Sequence, residues 1–162
     1  MTNARTKNVR TSAGQPAAPA RRDRRRWLLA GAALLVRPAG ATAQELTAAI
    51  QAFTGGGAPR AGRVTLDVAP LVENGNTVPM TVTVDSPMSA ADHVVSIAVF
   101  NERNPQREVA TFFLGPRAGR AVVASRIRLA TSQQLVAVAK MSDGSHWSHT
   151  IDVVVTLAAC VE

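Results

Sequence analysis

The chain has 162 residues, with 18 Lys or Arg against 11 Asp or Glu and a formal net charge of +7. Nine of those basic residues and only one acid, Asp23, fall within residues 1–43, so the other 119 residues carry nine basic and ten acidic side chains. The positive excess belongs to the start of the chain, and the remainder lacks the basic face that a nucleic-acid-binding domain needs.

The start has the order of an export signal. Arg21-Arg22-Asp23-Arg24-Arg25-Arg26 precedes the apolar run Trp27 to Val36, and the small-residue site Ala41-Thr42-Ala43 follows Arg37-Pro38. Spanning a bilayer as a helix takes ~20 apolar residues, and this run has ten, which makes a permanent membrane anchor the weaker reading. Arg24 and Arg25, followed by Trp27-Leu28, match the twin-arginine variant of such signals. Residues 1–43 are thus expected to be a signal peptide cut after Ala43, with the mature protein in the periplasm.

Beyond Ala43, Leu46, Ala49, Ile50 and Phe53 stand at i, i+3, i+4 and i+7, which predicts one apolar helical face. Thr54-Gly55-Gly56-Gly57-Ala58-Pro59 ends that helix. No strand precedes these glycines, so a phosphate-cradling loop is disfavoured. Residues 44–61 are read as helix and linker.

From Gly62 the period becomes two. Alternating runs begin at Val64, Met80, Val95, Ala110, Val123, Leu135 and Trp147, the last reaching Leu157. Turn residues separate them, at Glu73-Asn74-Gly75-Asn76, Ser86-Pro87, Asn104-Pro105, Gly115-Pro116 and Ser142-Asp143-Gly144-Ser145. About seven short strands with regular turns predict an all-β, immunoglobulin-like antiparallel β-sandwich over residues 62–157, with a short N-terminal helix before it.

The polar residues do not assemble a catalytic or metal site. His146 and His149 are three apart, which on a strand puts them on opposite faces, and His93 belongs to another strand. His149 falls on the apolar face, as a hydrogen-bonded structural histidine does. No G-x-S-x-G nucleophile turn is present, so the domain is not expected to be an enzyme, to hold a metal or to need a cofactor.

Cys160 is the single cysteine, in Ala158-Ala159-Cys160-Val161-Glu162. An unpaired cysteine in an exported protein points to intermolecular pairing or a reactive thiol. Three residues past the last strand give a tether of about 10 Å at ~3.3–3.6 Å per residue. No Lys, Arg or His stands in the final ten residues, and Glu162 opposes thiolate formation. Such a thiol suits a carrier acted on by other enzymes. An inert terminal cysteine on a pure interaction domain is the alternative.

The stretch from Phe53 to Trp147 resembles SoxY, the sulfur-carrying subunit of bacterial thiosulfate oxidation. The matching runs include Val64-Thr65-Leu66-Asp67, Glu73-Asn74-Gly75-Asn76-Thr77-Val78-Pro79, Val84-Asp85-Ser86-Pro87-Met88, Asn104-Pro105, Val109-Ala110-Thr111-Phe112, Arg126-Ile127-Arg128-Leu129-Ala130 and Lys140-Met141-Ser142-Asp143-Gly144-Ser145. The resemblance implies that Cys160 attaches sulfur covalently on a carrier arm of residues 158–162. It implies a heterodimer with a SoxZ-like protein, exported as a folded pair. It also implies that a periplasmic c-type cytochrome loads thiosulfate and that further sulfur-processing enzymes act on the adduct. The family's arm ends Gly-Gly-Cys-Gly-Gly, whereas Ala158, Ala159, Val161 and Glu162 make this arm stiffer and more acidic. A SoxY-like carrier serving another periplasmic oxidation system, such as one built around a quinoprotein dehydrogenase, is the alternative within that class.

Overall fold

A computed structural model describes residues 39–159. Arg24 and Arg25 of the expected signal, and Cys160, Val161 and Glu162 of the expected arm, lie outside the described residues. Helix α1 (Ala39–Thr54) is followed by β1 (Arg60–Ala61), β2 (Val64–Asp67), β3 (Leu71–Asn74), β4 (Val78–Val84), β5 (Val94–Asn101), β6 (Glu108–Phe113), β7 (Val122–Ile127), β8 (Gln133–Met141) and β9 (His146–Leu157). No helix among the described residues is long and apolar enough to cross a membrane.

The strands form two sheets, ordered β1-β9-β8-β5-β6 with β3 also on β9, and β2-β4-β7. Their inner faces enclose the main core. Val78, Met80, Val82 and Val84 of β4 alternate inward and meet Leu135, Ala137, Ala139 and Met141 of β8 within one buried cluster. This is the expected immunoglobulin-like sandwich with a helix at its N-terminal end. Two differences concern pairing. Both β1 and β3 join β9 in parallel, β1 at its start and β3 at its end, so the large sheet is not wholly antiparallel. Neither strand has a run of alternating residues, because they are two and four residues long and are defined by their partner.

In β5 the expected inward set was Val95, Ile97 and Val99. The structure places Val94, Ile97 and Val99 in the core, because a bulge between Val94 and Ser96 shifts the register. Past the bulge β5 is buried on both faces, with Ala98 and Phe100 turned outward under α1. Leu46, Ala49, Ile50 and Phe53 of α1 pack there on Ala98, Phe100, Val136 and Val138. The ring of Phe53 meets that of Phe100 edge-on, with centroids 5.9 Å apart.

The helix stops at the glycines. Gly55 and Gly56 have φ of 70° and 91°, and the Gly56 N–H returns to the Gln51 carbonyl at 2.8 Å, which closes the last turn. The helix starts earlier than the expected Gln44, at Ala39, and so runs through Ala41 and Ala43. The expected linker, residues 44–61, ends in β1 instead of remaining a connection throughout.

Candidate functional site

The last strand carries the chain toward Cys160, and the structure fixes how it leaves the sandwich. Strand β9 ends at Leu157, as the alternation predicts. The Leu157 carbonyl accepts the N–H of Gly75 at 2.8 Å, and the Gly75 carbonyl accepts the N–H of Leu129 at 2.8 Å. The Leu129 carbonyl in turn accepts the N–H of Ala159 at 3.1 Å. Three backbone hydrogen bonds thus link the root of the arm to two loops from elsewhere in the chain.

Gly75 makes this approach possible. A Cβ there would lie 2.3 Å from the Leu129 carbonyl oxygen and 2.9 Å from the Ala159 nitrogen. Asn74 prepares the turn, its carboxamide oxygen accepting the Asn76 N–H at 2.9 Å. The Thr156 hydroxyl donates to the Glu73 carbonyl at 3.1 Å, tying the same turn to β9 from the other side.

Leu129 is immobilised from two directions. Its side chain is fully buried in the main core. The backbone on either side is bracketed by Asn104, whose Nδ2 donates to the Arg128 carbonyl at 2.8 Å and whose Oδ1 accepts the Ala130 N–H at 3.0 Å. The same oxygen accepts Gln133 Nε2 at 2.7 Å. Asn104 is itself placed by its N–H on Asn101 Oδ1 at 2.9 Å, and Asn101 and Gln133 are buried with their polar groups paired. Arg107 donates to the Asn104 carbonyl and pairs with Glu45, joining this corner to α1.

The proposed arm residues therefore behave differently from one another. Ala158 is exposed, whereas Ala159 is 7% exposed and hydrogen-bonded. The expected tether of three free residues shortens to the chain beyond Ala159. Of the residues at the expected cleavage site, Ala43 is exposed on α1, and its carbonyl accepts the Thr47 hydroxyl at 2.9 Å.

The histidines are dispersed as their spacing predicts. His149 faces the core side, where its Nδ1 accepts the Leu66 N–H at 2.9 Å, joining β9 to β2 of the other sheet. His146 lies on the opposite face, its ring centroid 6.1 Å from that of Phe53. Its Nε2 is buried without a hydrogen-bond partner, and burial, with Lys140 across the strand pair, pushes its pKa below the ordinary value of 6.5. Asp143, in the turn before β9, is held below the usual carboxylate range by hydrogen bonds from the Ser145 side chain and backbone. His93 precedes β5, with its ring nitrogen 3.1 Å from the Ser89 carbonyl. Among the described residues no three of His, Cys, Asp and Glu group to hold a metal ion.

Gly75, Leu129 and Asn104 were not singled out as site residues by spacing or chemistry. Their signal was present only in the runs Glu-Asn-Gly-Asn, Asn-Pro and Arg-Ile-Arg-Leu-Ala, which the structure brings together at the root of the arm.

A small β-sandwich that clasps a C-terminal tail next to its single cysteine is the class of protein that fold and site define. The model of the family described as sulfur oxidation protein SoxY matches residues 50–160, and the chain belongs to that family. The structure is similar to the sulfur carrier protein SoxY from Chlorobium limicola f. thiosulfatophilum, with 29% identity and a TM-score of 0.59 over 71% of this chain and 99% of that one. It is also similar to superoxide reductase (neelaredoxin) from Ignicoccus hospitalis, at 17% identity and a TM-score of 0.52 over 58% and 80% of the two chains. Superoxide reductase from Nanoarchaeum equitans is similar at 10% identity and a TM-score of 0.51, over 59% and 100%. The likeness to the reductases is one of fold alone. A search of curated proteins finds no match.

Proposed function

We propose that this protein is a periplasmic sulfur carrier, not itself an enzyme, that holds thiosulfate-derived sulfur covalently on Cys160. The observation that carries this reading is that the family match ends on Cys160 while the clasp fixes the chain at the residue before it. Likeness to a SoxY sulfur carrier over nearly the whole of that chain supports it further.

The chemistry asked of Cys160 is simple for the carrier and demanding for its partners. Joining the thiolate to thiosulfate forms an S–S bond, Cys–S–S–SO3⁻, and releases two electrons, which a periplasmic c-type cytochrome accepts. Water then displaces sulfate from the adduct, two protons leave, and a persulfide, Cys–S–S⁻, remains for further oxidation. The carrier contributes the sulfur atom of Cys160 and a surface to dock on. Export through Arg24 and Arg25, removal of residues 1–43 and pairing with a SoxZ-like protein complete the reading.

Intact-mass spectrometry of protein recovered from thiosulfate-grown cells tests it. Adducts of sulfane or thiosulfonate mass are expected, removable by reductant and missing from Cys160→Ser. A free thiol throughout would sink the carrier reading. Co-expression with a SoxZ-like protein should give one heterodimer peak on size exclusion, and two monomer peaks at micromolar concentration would count against that pairing.

A further inference from the structure

We infer that Gly75 and Asn104 are positioning residues for the thiol of Cys160: together they hold Ala159 against the sandwich and set how far the thiol can reach. The inference deepens the carrier reading and rests on it for its functional meaning, although the clasp itself is independent of any sulfur chemistry.

The restraint runs from the core outward. Leu129 cannot shift without opening the main core, because its side chain is fully buried there. Asn104 holds the backbone at Arg128 and Ala130, the residues on either side, so the Leu129 carbonyl is fixed in direction as well as position. That carbonyl receives the Ala159 N–H at 3.1 Å. Gly75 lies between Leu129 and the arm, bonding Leu157 with its N–H and Leu129 with its carbonyl, at a spacing that no side chain at 75 would allow.

The consequence is a short leash. Measured from Leu157, a free arm would carry Cys160 about 10 Å at ~3.3–3.6 Å per residue; measured from a docked Ala159, it carries it one residue's span. While Ala159 is docked, partners that load or unload sulfur must bring their active sites to the corner made by the Gly75 turn and the 128–132 loop. A single backbone hydrogen bond is a modest net restraint, so release of Ala159 is within reach of partner binding.

The single cysteine supplies the test. Amide hydrogen exchange, read by NMR on the purified protein, should show the Ala159 N–H slowed about tenfold or more relative to an unstructured chain, the factor that a net bond of ~1.4 kcal/mol gives. A nitroxide attached to Cys160 should show restricted motion. Asn104→Ala, and independently Gly75→Ala, should remove the protection at Ala159 and free the label, while amides of β5 and β8 stay protected. An unprotected Ala159 in the wild type overturns the inference, and that measurement needs no variant to fold. Protection and label motion unchanged in both Asn104→Ala and Gly75→Ala also overturn it. If Ala159 is protected as expected but Cys160 never carries sulfur, the clasp stands and the carrier reading falls.

Discussion

Gly75 and Leu129 meet where a side chain on residue 75 has no room: a Cβ would stand 2.3 Å from the Leu129 carbonyl oxygen. Gly75→Ala must therefore displace the arm root, the loop or both. Overpacking of this kind costs ~1–3 kcal/mol. Gly57→Ala is the control, since its added Cβ would approach nothing closer than 3.9 Å. Urea unfolding of the two variants should show a lowered midpoint for the first and a change within about ±0.5 kcal/mol for the second.

His149 serves the domain as an acceptor. Replacing it with phenylalanine keeps an aromatic ring in place but leaves the Leu66 N–H without its partner. An orphaned backbone donor costs ~1–3 kcal/mol. Thermal unfolding should report that loss, and a variant as stable as the wild type would show that water reaches the amide instead.

His146 gives stability a pH dependence of known sign. Burial, and then Lys140, lower its folded pKa below 6.5, so between that lowered value and 6.5 the unfolded chain binds more protons than the folded one. Stability is then complete above 6.5 and declines as pH falls through that window. His146→Phe should flatten this part of the profile when denaturant midpoints are measured from neutral to mildly acidic pH. A slope unchanged in the variant would assign it to other groups.

Phe100 is fully buried beneath α1, and Phe100→Ala should cost ~3–5 kcal/mol. Phe53→Ala should cost less, since that ring is only half-buried. Because the two rings touch edge-on, a double-mutant cycle should show a coupling of about 0.5–1.5 kcal/mol. Additive losses would mean that the helix packs through Leu46 and Ile50 instead.

Cleavage after Ala43 would leave Gln44–Thr54 of α1 in place, together with the pairing of Glu45 with Arg107. N-terminal sequencing of periplasmic protein should begin at Gln44. An intact first residue on membrane-bound protein would overturn the signal assignment.

Hydrophobic period carried most of the fold in plain view. Met80, Val82 and Val84, or Leu135 through Met141, each face one core, and period two states that directly. The misplaced Val95 shows where the method fails, because a bulge changes which residue faces inward without changing composition. Strands β1 and β3 were hidden for another reason: at two and four residues their existence depends on β9, which follows them by many residues in sequence. The clasp was the least legible part. Gly75 is not at positive φ, so its turn context alone does not reveal that its missing side chain makes room for Leu129 and Ala159.

The clasp grips the arm by its peptide groups, at the Leu157 carbonyl and the Ala159 nitrogen, and not by any side chain's chemistry. Side chains at 157–159 can therefore change as long as the backbone register is kept. Ala158, being exposed, is open to wide substitution, while the buried Ala159 admits only another small residue. Alanine at 158 and 159 is compatible with this docking, whereas an insertion or deletion between Leu157 and Ala159 would carry the Ala159 N–H away from the Leu129 carbonyl.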